Sequence, residues 1–184
     1  MLYCAHTHNK STMSLDPAVC LVSSEEVKGD AKILYENFLQ SGKQVPKWMQ
    51  VMANCEDILV GFFAMFRATM DNAPLPSLLK WKVANQVSML NKCEFCVDVT
   101  NTHLRQFGLD DDAIAHISET EDERERVALE FAAIVTEKAY AVPEELMTRV
   151  KKHFTDEELV ELTAVIGLFN YINRFNDALR VLPE

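Results

Sequence analysis

The sequence predicts an all-α protein, and three observations lead to this class. The long segments of the chain repeat apolar residues every three or four positions, which is the spacing of one helix face. No segment alternates apolar and polar residues in the manner of a half-buried strand. Thr-x-x-Glu motifs, which often open helices, occur at Thr120 and Thr155. At 184 residues the chain is long enough to bury a sizeable core in one domain.

The domain organisation follows from where this periodicity begins. Residues 1–22 show no periodicity and are rich in polar residues, so we expect a flexible or partner-ordered extension. Residues 23–184 are expected to form a single helical domain. Its first helix is predicted to start at Ser24, which can cap it and is followed by acidic residues near the positive end of the helix dipole. Gly42 is predicted to end this helix.

The second and third predicted helices lead up to a break in the chain. Pro46 opens a short helix, and Asn54 is predicted to cap a strongly apolar segment over residues 58–66. Because this segment is apolar nearly all round, we expect it to be buried on several sides. Two prolines then interrupt the chain ahead of a predicted helix over residues 78–90.

A further helix is predicted over residues 93–107, with Gly108 as its end. After it, each helix has a residue that favours a helix start, either a capping side chain or a first-turn proline. These residues are Asp110, Thr120, Pro143 and Thr155. The last of them precedes a final helix that we predict over residues 159–182.

The predicted final helix carries several polar residues between its apolar ones. Asn170, Asn173 and Asp177 fall among phenylalanines and leucines on a segment that should otherwise be buried. Polar side chains in such a setting need hydrogen-bond partners. We therefore expect a hydrogen-bonded network between helices, or a subunit interface, in preference to a direct catalytic role.

The charge of the chain limits its partners. A formal net charge of −10 argues against nucleic acid and against anionic membrane surfaces, since phosphate groups attract the opposite sign. No apolar run approaches the ~20 residues that a membrane-spanning helix needs. The first sixteen residues lack the continuous apolar core of a signal peptide. We expect a cytoplasmic protein with neither a membrane nor a nucleic acid as partner.

The cysteines direct attention to one place in the chain. There are five, an odd number, and they are scattered except for Cys93 and Cys96. This distribution differs from the disulfide framework of a small secreted protein. In a reducing compartment a close pair is more often catalytic, redox-sensing or metal-binding than structural.

Cys93 and Cys96 lie three residues apart at the start of a predicted helix, so their sulfurs can meet on one face. The positive end of the helix dipole favours the thiolate over the thiol there. A thiolate in this setting can attack a peroxide, and the resulting sulfenic acid can condense with the second thiol to form a disulfide. Burial of both cysteines in the core is the plain alternative.

Metal binding is less well supported, because a closed zinc site needs two further ligands and His103 is the nearby candidate. We therefore predict no metal. His103 continues the helix face of Cys96 but lies roughly 10 Å along the axis from it, too far for a direct hydrogen bond. Thr100 lies between them, so a relay from Cys96 through Thr100 to His103 is geometrically possible. Alternatively, His103 is a partly exposed helix histidine that the dipole favours.

Four stretches of the chain together resemble a known family. They are Cys93-Glu94-Phe95-Cys96-Val97-Asp98, Gly108-Leu109-Asp110, Ala128-Leu129-Glu130-Phe131-Ala132 and the segment over residues 169–179. The resemblance is to the carboxymuconolactone decarboxylase superfamily, in its alkylhydroperoxidase D-like, peroxidase-related branch. It implies an all-helical fold, assembly as a homo-oligomeric trimer or hexamer, and no cofactor. It also implies reduction of a hydroperoxide by a dithiol that a lipoyl or thioredoxin-like protein recharges.

The chain departs from this family at two positions. The family usually has a histidine where this sequence has Thr100, and a glutamate where it has Trp81. The family analogy makes Cys96 the thiol that attacks peroxide and Cys93 the resolving thiol. The helix dipole alone would favour the reverse, since Cys93 is nearer the helix start. His103, with an acid from another helix, could take the place of the missing pair.

Two other functions stay open at this point. The first is a non-catalytic dithiol that senses oxidation or serves as an assembly subunit, which the missing glutamate and histidine make plausible. The second is decarboxylation of a lactone acid, as in the branch that gives the superfamily its name. The CxxC pair argues against decarboxylation, since that branch does not depend on it.

Overall fold

The computed structural model describes residues 16–71 and 74–183, and every regular element within them is helical, which confirms the predicted all-α class. The helices are α1 (Gly29–Gln40), α2 (Lys47–Met52), α3 (Glu56–Met70), α4 (Ser77–Asn91), α5 (Glu94–Gln106), α6 (Asp111–Ala115), α7 (Glu123–Lys138), α8 (Glu144–His153) and α9 (Asp156–Ala178), with a 3₁₀ turn at Ala139–Ala141. None of these helices is both long and apolar enough to cross a membrane.

The chain groups into two compact units. The described part of the first comprises residues 16–63 and 176–182, and that of the second comprises residues 64–71 and 74–175. The boundaries fall inside α3 and α9. A single domain over residues 23–184 stays a prediction.

In the first unit, α1 begins at Gly29, so the predicted start at Ser24 was wrong. The backbone N–H and hydroxyl of Ser23 donate to the carboxylate of Glu26, which closes a turn before the helix. Gly29 follows this turn with φ of +57°, a conformation that glycine adopts readily. The first-turn amide of Asp30 donates to Glu56 Oε1 at 2.6 Å, so Glu56 supplies the cap that the preceding Lys28 does not.

The described end of the predicted extension, residues 16–22, is hydrogen-bonded within the first unit, whereas residues 1–15 lie outside the described part of the chain. The carbonyl of Val22 accepts from the Tyr35 hydroxyl at 3.0 Å, and burial raises the pKa of Tyr35 to about 12. The side-chain amide of Asn54 donates to the carbonyls of Cys20 and Val51. These bonds use the amide nitrogen of Asn54, and the capping of α3 by its side-chain oxygen stays a prediction.

Helix α3 is less buried than its apolar sequence predicts. Leu59 is fully buried, but Ile58 and Met65 are each 47% exposed. Burial on several sides was therefore wrong for this helix.

In the second unit, α4 is the central helix, since both α5 and α7 pack against it. Val83 and Val87 in the middle of α4 are completely buried, whereas Met89 near its end is 44% exposed. Leu104 of α5 and Val127 of α7 are also completely buried. The apolar face of α4 thus forms the core that carries α5.

A buried ion pair fixes the segment that leads into α4. Lys80 is 1% exposed, and its Nζ lies 2.5 Å from Oε1 of Glu161 on α9. The same ammonium donates to the carbonyl of Thr69, and the other carboxylate oxygen accepts from the backbone N–H of Leu75 at 2.8 Å. The pair therefore holds the backbone on both sides of the break between α3 and α4.

The two predicted Thr-x-x-Glu starts had different outcomes. At α9 the motif is confirmed, because Thr155 and Glu158 exchange side-chain and backbone hydrogen bonds. At α7 the prediction was wrong, because the capping side chain is Asp122, which accepts from the amide of Glu125. The cap at Asp110 of α6 is confirmed. Helix α9 ends at Ala178, before the predicted end at residue 182.

Candidate active site

The two cysteines lie at the tight joint between α4 and α5. Lys92 ends α4 in the left-handed conformation, with φ of +59°, and Cys93 is the N-terminal cap residue of α5. The amide of Cys93 donates to the carbonyl of Ser88 at 3.2 Å. Cys96 follows in the first turn of α5, where backbone amides lack partners within the helix. The predicted position of the pair at the head of a helix is therefore confirmed.

Cys93 and Cys96 are joined as a disulfide, with their Cα atoms 5.3 Å apart. This separation is within the usual range for a disulfide. Cys93 is fully buried and Cys96 is 4% exposed. The two sulfurs meet as predicted, at a place where Cys96 has slightly better access to solvent.

Thr100 is bonded to the backbone of its own helix. Its hydroxyl donates to the carbonyl of Cys96 at 2.8 Å, with the Val97 carbonyl 3.0 Å away. It accepts a hydrogen bond from Nδ2 of Asn85 at 2.9 Å. The hydroxyl therefore donates to a backbone carbonyl of the preceding turn of its own helix. A catalytic role for Thr100 stays a prediction.

His103 lies against α4, where its imidazole stacks on the indole of Trp81. The ring centroids are 3.7 Å apart and the ring planes differ by 10°. Trp81 also contacts the rings of Phe66 and Phe169 and is 9% exposed. His103 therefore contacts Trp81, which occupies the position where the family usually has a glutamate.

Asn85 is a residue of this site that sequence reasoning missed. It is fully buried on α4, and Nδ2 donates to both Thr100 and Asn101 of α5. Its Oδ1 is buried without a hydrogen-bond partner. The available signal was its position four residues after Trp81, which puts an amide on the same face of α4 as that indole.

The polar residues of the final helix form the network between helices that the sequence predicted. The amide of Asn91, one residue before the Lys92 joint, donates to Asn170 and to Asn173. Asn173 in turn donates to the Ser88 hydroxyl at 3.1 Å. These bonds fix the end of α4 from which Cys93 emerges.

Within residues 16–71 and 74–183, no group of three or more histidine, cysteine, aspartate or glutamate side chains is placed to hold a metal ion. Both sequence neighbours of Trp81 are in ion pairs: Lys80 with Glu161 of α9, and Lys82 with Glu125 of α7 at 2.6 Å.

Two curated bacterial proteins are similar in sequence. The chain is 32% identical over 114 residues to the uncharacterized protein YnjA of Escherichia coli (strain K12), which covers 59% of this chain and 63% of that protein. It is 30% identical over 100 residues to the uncharacterized protein YdfG of Bacillus subtilis (strain 168), covering 51% of this chain and 68% of that protein. The chain thus matches slightly less than two thirds of the first relative. No family model matches it.

Solved structures share the fold over nearly the whole chain. An uncharacterized peroxidase-related protein from Silicibacter sp. TM1040 superposes with a TM-score of 0.82 and 25% identity, covering 91% of this chain and 92% of that one. A peroxidase-related protein from Ralstonia eutropha JMP134, described as an alkylhydroperoxidase AhpD core, gives the same TM-score and coverage at 22% identity. Together with the sequence relatives, these matches place the chain in the carboxymuconolactone decarboxylase superfamily, as a member of its alkylhydroperoxidase D-like branch.

Proposed function

We propose that the protein is a thiol-dependent peroxidase. The Cys96 thiolate attacks one oxygen of a hydroperoxide, the O–O bond breaks, and the products are Cys96 sulfenic acid and an alcohol once a proton reaches the leaving oxygen. The Cys93 thiol then condenses with the sulfenic acid, which forms the disulfide and releases water. A second dithiol reduces this disulfide and returns the enzyme to its starting state.

The observation that carries the proposal is the Cys93–Cys96 pair at the head of α5. Two thiols that close a disulfide there can pass through every state of this cycle without a large rearrangement. The first-turn amides stabilise a thiolate, and Cys96 is the more accessible of the two. These features support Cys96 as the attacking thiol and Cys93 as the resolving thiol.

His103 and Thr100 have different parts in this proposal. Thr100 holds the Cys96 carbonyl, as its hydrogen bonds indicate. His103, with its ring held on Trp81, supplies the proton to the leaving oxygen through water, since it is too distant for direct transfer. The cycle needs no cofactor.

The partners follow from the chemistry and the family. A lipoyl or thioredoxin-like protein provides the reducing dithiol, in keeping with a site that itself works by thiol–disulfide exchange. We also propose a trimer or hexamer acting in the cytoplasm in antioxidant defence. The exposed apolar residues of α3 are suited to contact between subunits.

The test is consumption of cumene hydroperoxide in the presence of dihydrolipoamide. Wild-type protein should turn over, Cys96→Ser should be inactive, and Cys55→Ser should match the wild type because Cys55 is an exposed free cysteine that does not belong to the CxxC pair. Turnover by the Cys96→Ser variant would show that the assignment is wrong.

A dithiol sensor is the second candidate function, and Trp81 favours it. An indole stands where the family has a carboxylate, and the Thr100 hydroxyl is committed to the backbone, so neither residue can move a proton as the family pair does. A sensor would be oxidised once per molecule by peroxide and would be reduced slowly by dihydrolipoamide. Many turnovers per molecule in the same assay would exclude this function.

A further inference from the structure

Asn85 links α4 to the turn that holds the reactive cysteine. It is fully buried, and its amide N–H groups point to Thr100 and Asn101 on α5. Thr100 lies four residues after Cys96, so the two occupy one face of α5. The hydrogen bond from Asn85 to Thr100 therefore lies one helical turn beyond Cys96.

A second hydrogen bond connects the Thr100 hydroxyl to the backbone of Cys96. Asn85 donates to the Thr100 oxygen at 2.9 Å, and the Thr100 hydroxyl donates to the Cys96 carbonyl at 2.8 Å. Because Asn85 occupies an acceptor site of the hydroxyl oxygen, the hydroxyl proton is directed at the carbonyl. Aligned donors of this kind polarise one another, and inside a protein each bond is stronger than in water.

The side-chain carbonyl oxygen of Asn85 indicates that this residue is not present for stability alone. Its Oδ1 is buried with no partner, and leaving a buried acceptor unpaired costs roughly 1–3 kcal/mol. A leucine of similar shape would avoid that cost. Asn85 therefore lowers stability through its unpaired carbonyl while its N–H groups make two hydrogen bonds. Such a combination is expected where a side chain serves function more than stability.

We propose that Asn85 is a positioning residue for the dithiol, which acts through Thr100 to hold the first turn of α5 in the geometry that stabilises the Cys96 thiolate. The choice of Cys96 rests on the proposed function. When Asn85 or the Thr100 hydroxyl is lost, the Cys96 carbonyl and the amides of that turn relax, and the thiolate loses part of its stabilisation. Both losses act on the same step, so they should not add.

The test measures thiol reactivity directly and needs neither peroxide nor reductant turnover. Reduced protein is alkylated with iodoacetamide across a pH series, and the label on Cys96 is read from its peptide by mass spectrometry. Asn85→Leu and Thr100→Val should each slow alkylation of Cys96 at pH 7 by about tenfold, which corresponds to one pH unit in the midpoint of the profile. The double variant should be no slower than either single variant.

Asn101→Ala is the matched control, because it removes the other acceptor of the Asn85 amide and leaves the route to Cys96 intact. Its profile should match the wild type. Asn85→Leu should also keep a wild-type melting temperature, since it removes the unpaired carbonyl along with the hydrogen bonds. An alkylation profile within twofold of wild type in folded Asn85→Leu and Thr100→Val would overturn the proposal, as would additive effects in the double variant. A protein without peroxidase activity could still pass this test.

Discussion

The imidazole of His103 lies flat on the indole of Trp81, with ring centroids 3.7 Å apart. In the family that this chain belongs to, the position of Trp81 usually holds a glutamate and that of Thr100 a histidine. Here the histidine is three residues further along α5, and it meets an aromatic ring in place of an acid. The dithiol is retained, and the residues that would move its protons have changed.

Restoring the usual pair should speed the reaction. In a Trp81→Glu/Thr100→His variant, the carboxylate can orient the new imidazole close to Cys96, and general acid–base catalysis by a placed histidine contributes about 10²–10⁴-fold in enzymes. We expect kcat/KM for cumene hydroperoxide to rise at least about tenfold, measured by stopped-flow peroxide consumption.

The single variants serve as controls for that gain. Trp81→Glu alone buries a carboxylate and loses contacts with two phenylalanines, so it should be destabilised without being faster. Circular dichroism checks that the double variant is folded. If the folded double variant were no faster than wild type, the missing Glu–His pair would not be what limits the rate of the peroxide reaction.

His103→Gln should slow the peroxide step by about tenfold or more, because it removes the group that we propose to protonate the leaving oxygen. Trp81→Phe keeps an aromatic face for the imidazole and should retain most of the rate. Single-turnover oxidation of reduced protein, followed by formation of the alcohol product, measures the rate of both variants. An unchanged rate in His103→Gln would return His103 to the class of partly exposed helix histidines that only pack.

Glu161→Gln should destabilise the fold markedly. The substitution leaves the Lys80 ammonium buried without its counter-charge, and breaking a buried ion pair in this way costs about 3–5 kcal/mol. Thermal unfolding at pH 7 should show a melting temperature lowered by several degrees. Glu157→Gln on the exposed side of α9 is the control and should melt like the wild type. A melting temperature within a degree of wild type in Glu161→Gln would contradict the structural role of the pair.

Glu158 should contribute a pH-dependent part of the stability. The backbone N–H of Thr155, and after it Arg124, lower the pKa of the Glu158 carboxyl from its ordinary value of 4.5, against the opposing effect of burial. A carboxyl with a lowered pKa in the folded state stabilises the protein above pH 4.5, and this stabilisation is lost as the pH falls through the lowered value. Glu158→Gln should therefore melt roughly 1–4 °C below wild type at pH 7.

The same comparison at pH 3 supplies the control for Glu158. Protonation of the wild-type carboxyl increases as the pH falls toward the lowered pKa, so the difference between the two melting temperatures should be smaller at pH 3 than at pH 7. A difference that stays constant between pH 7 and pH 3 would mean that the charge on Glu158 contributes nothing to stability.

The sequence was sufficient for the helical class, for most helix positions and for the meeting of Cys93 with Cys96, because these depend on residue spacing along one chain. It failed at the start of α1, where Glu56, from another helix, provides the cap. It failed at α7 because two capping residues, Thr120 and Asp122, compete within one turn and only their geometry decides between them.

The candidate site was predicted where it depends on one helix and missed where it depends on two. The spacing on α5 predicted one face with Cys96, Thr100 and His103, and their joint role in a site stays a prediction. The partners of these residues, Asn85 and Trp81, come from α4, and no spacing rule relates α4 to α5.

The most direct test of the account is to identify which sulfur peroxide oxidises. Reduced Cys93→Ser protein is mixed with one equivalent of cumene hydroperoxide and dimedone, which traps sulfenic acids, and the labelled residue is found by peptide mass spectrometry. We predict a label on Cys96 in Cys93→Ser, none on Cys93 in Cys96→Ser, and a Cys93–Cys96 disulfide in the wild type. A label on Cys93 in Cys96→Ser, or no oxidation of either cysteine, would contradict the proposed peroxidase.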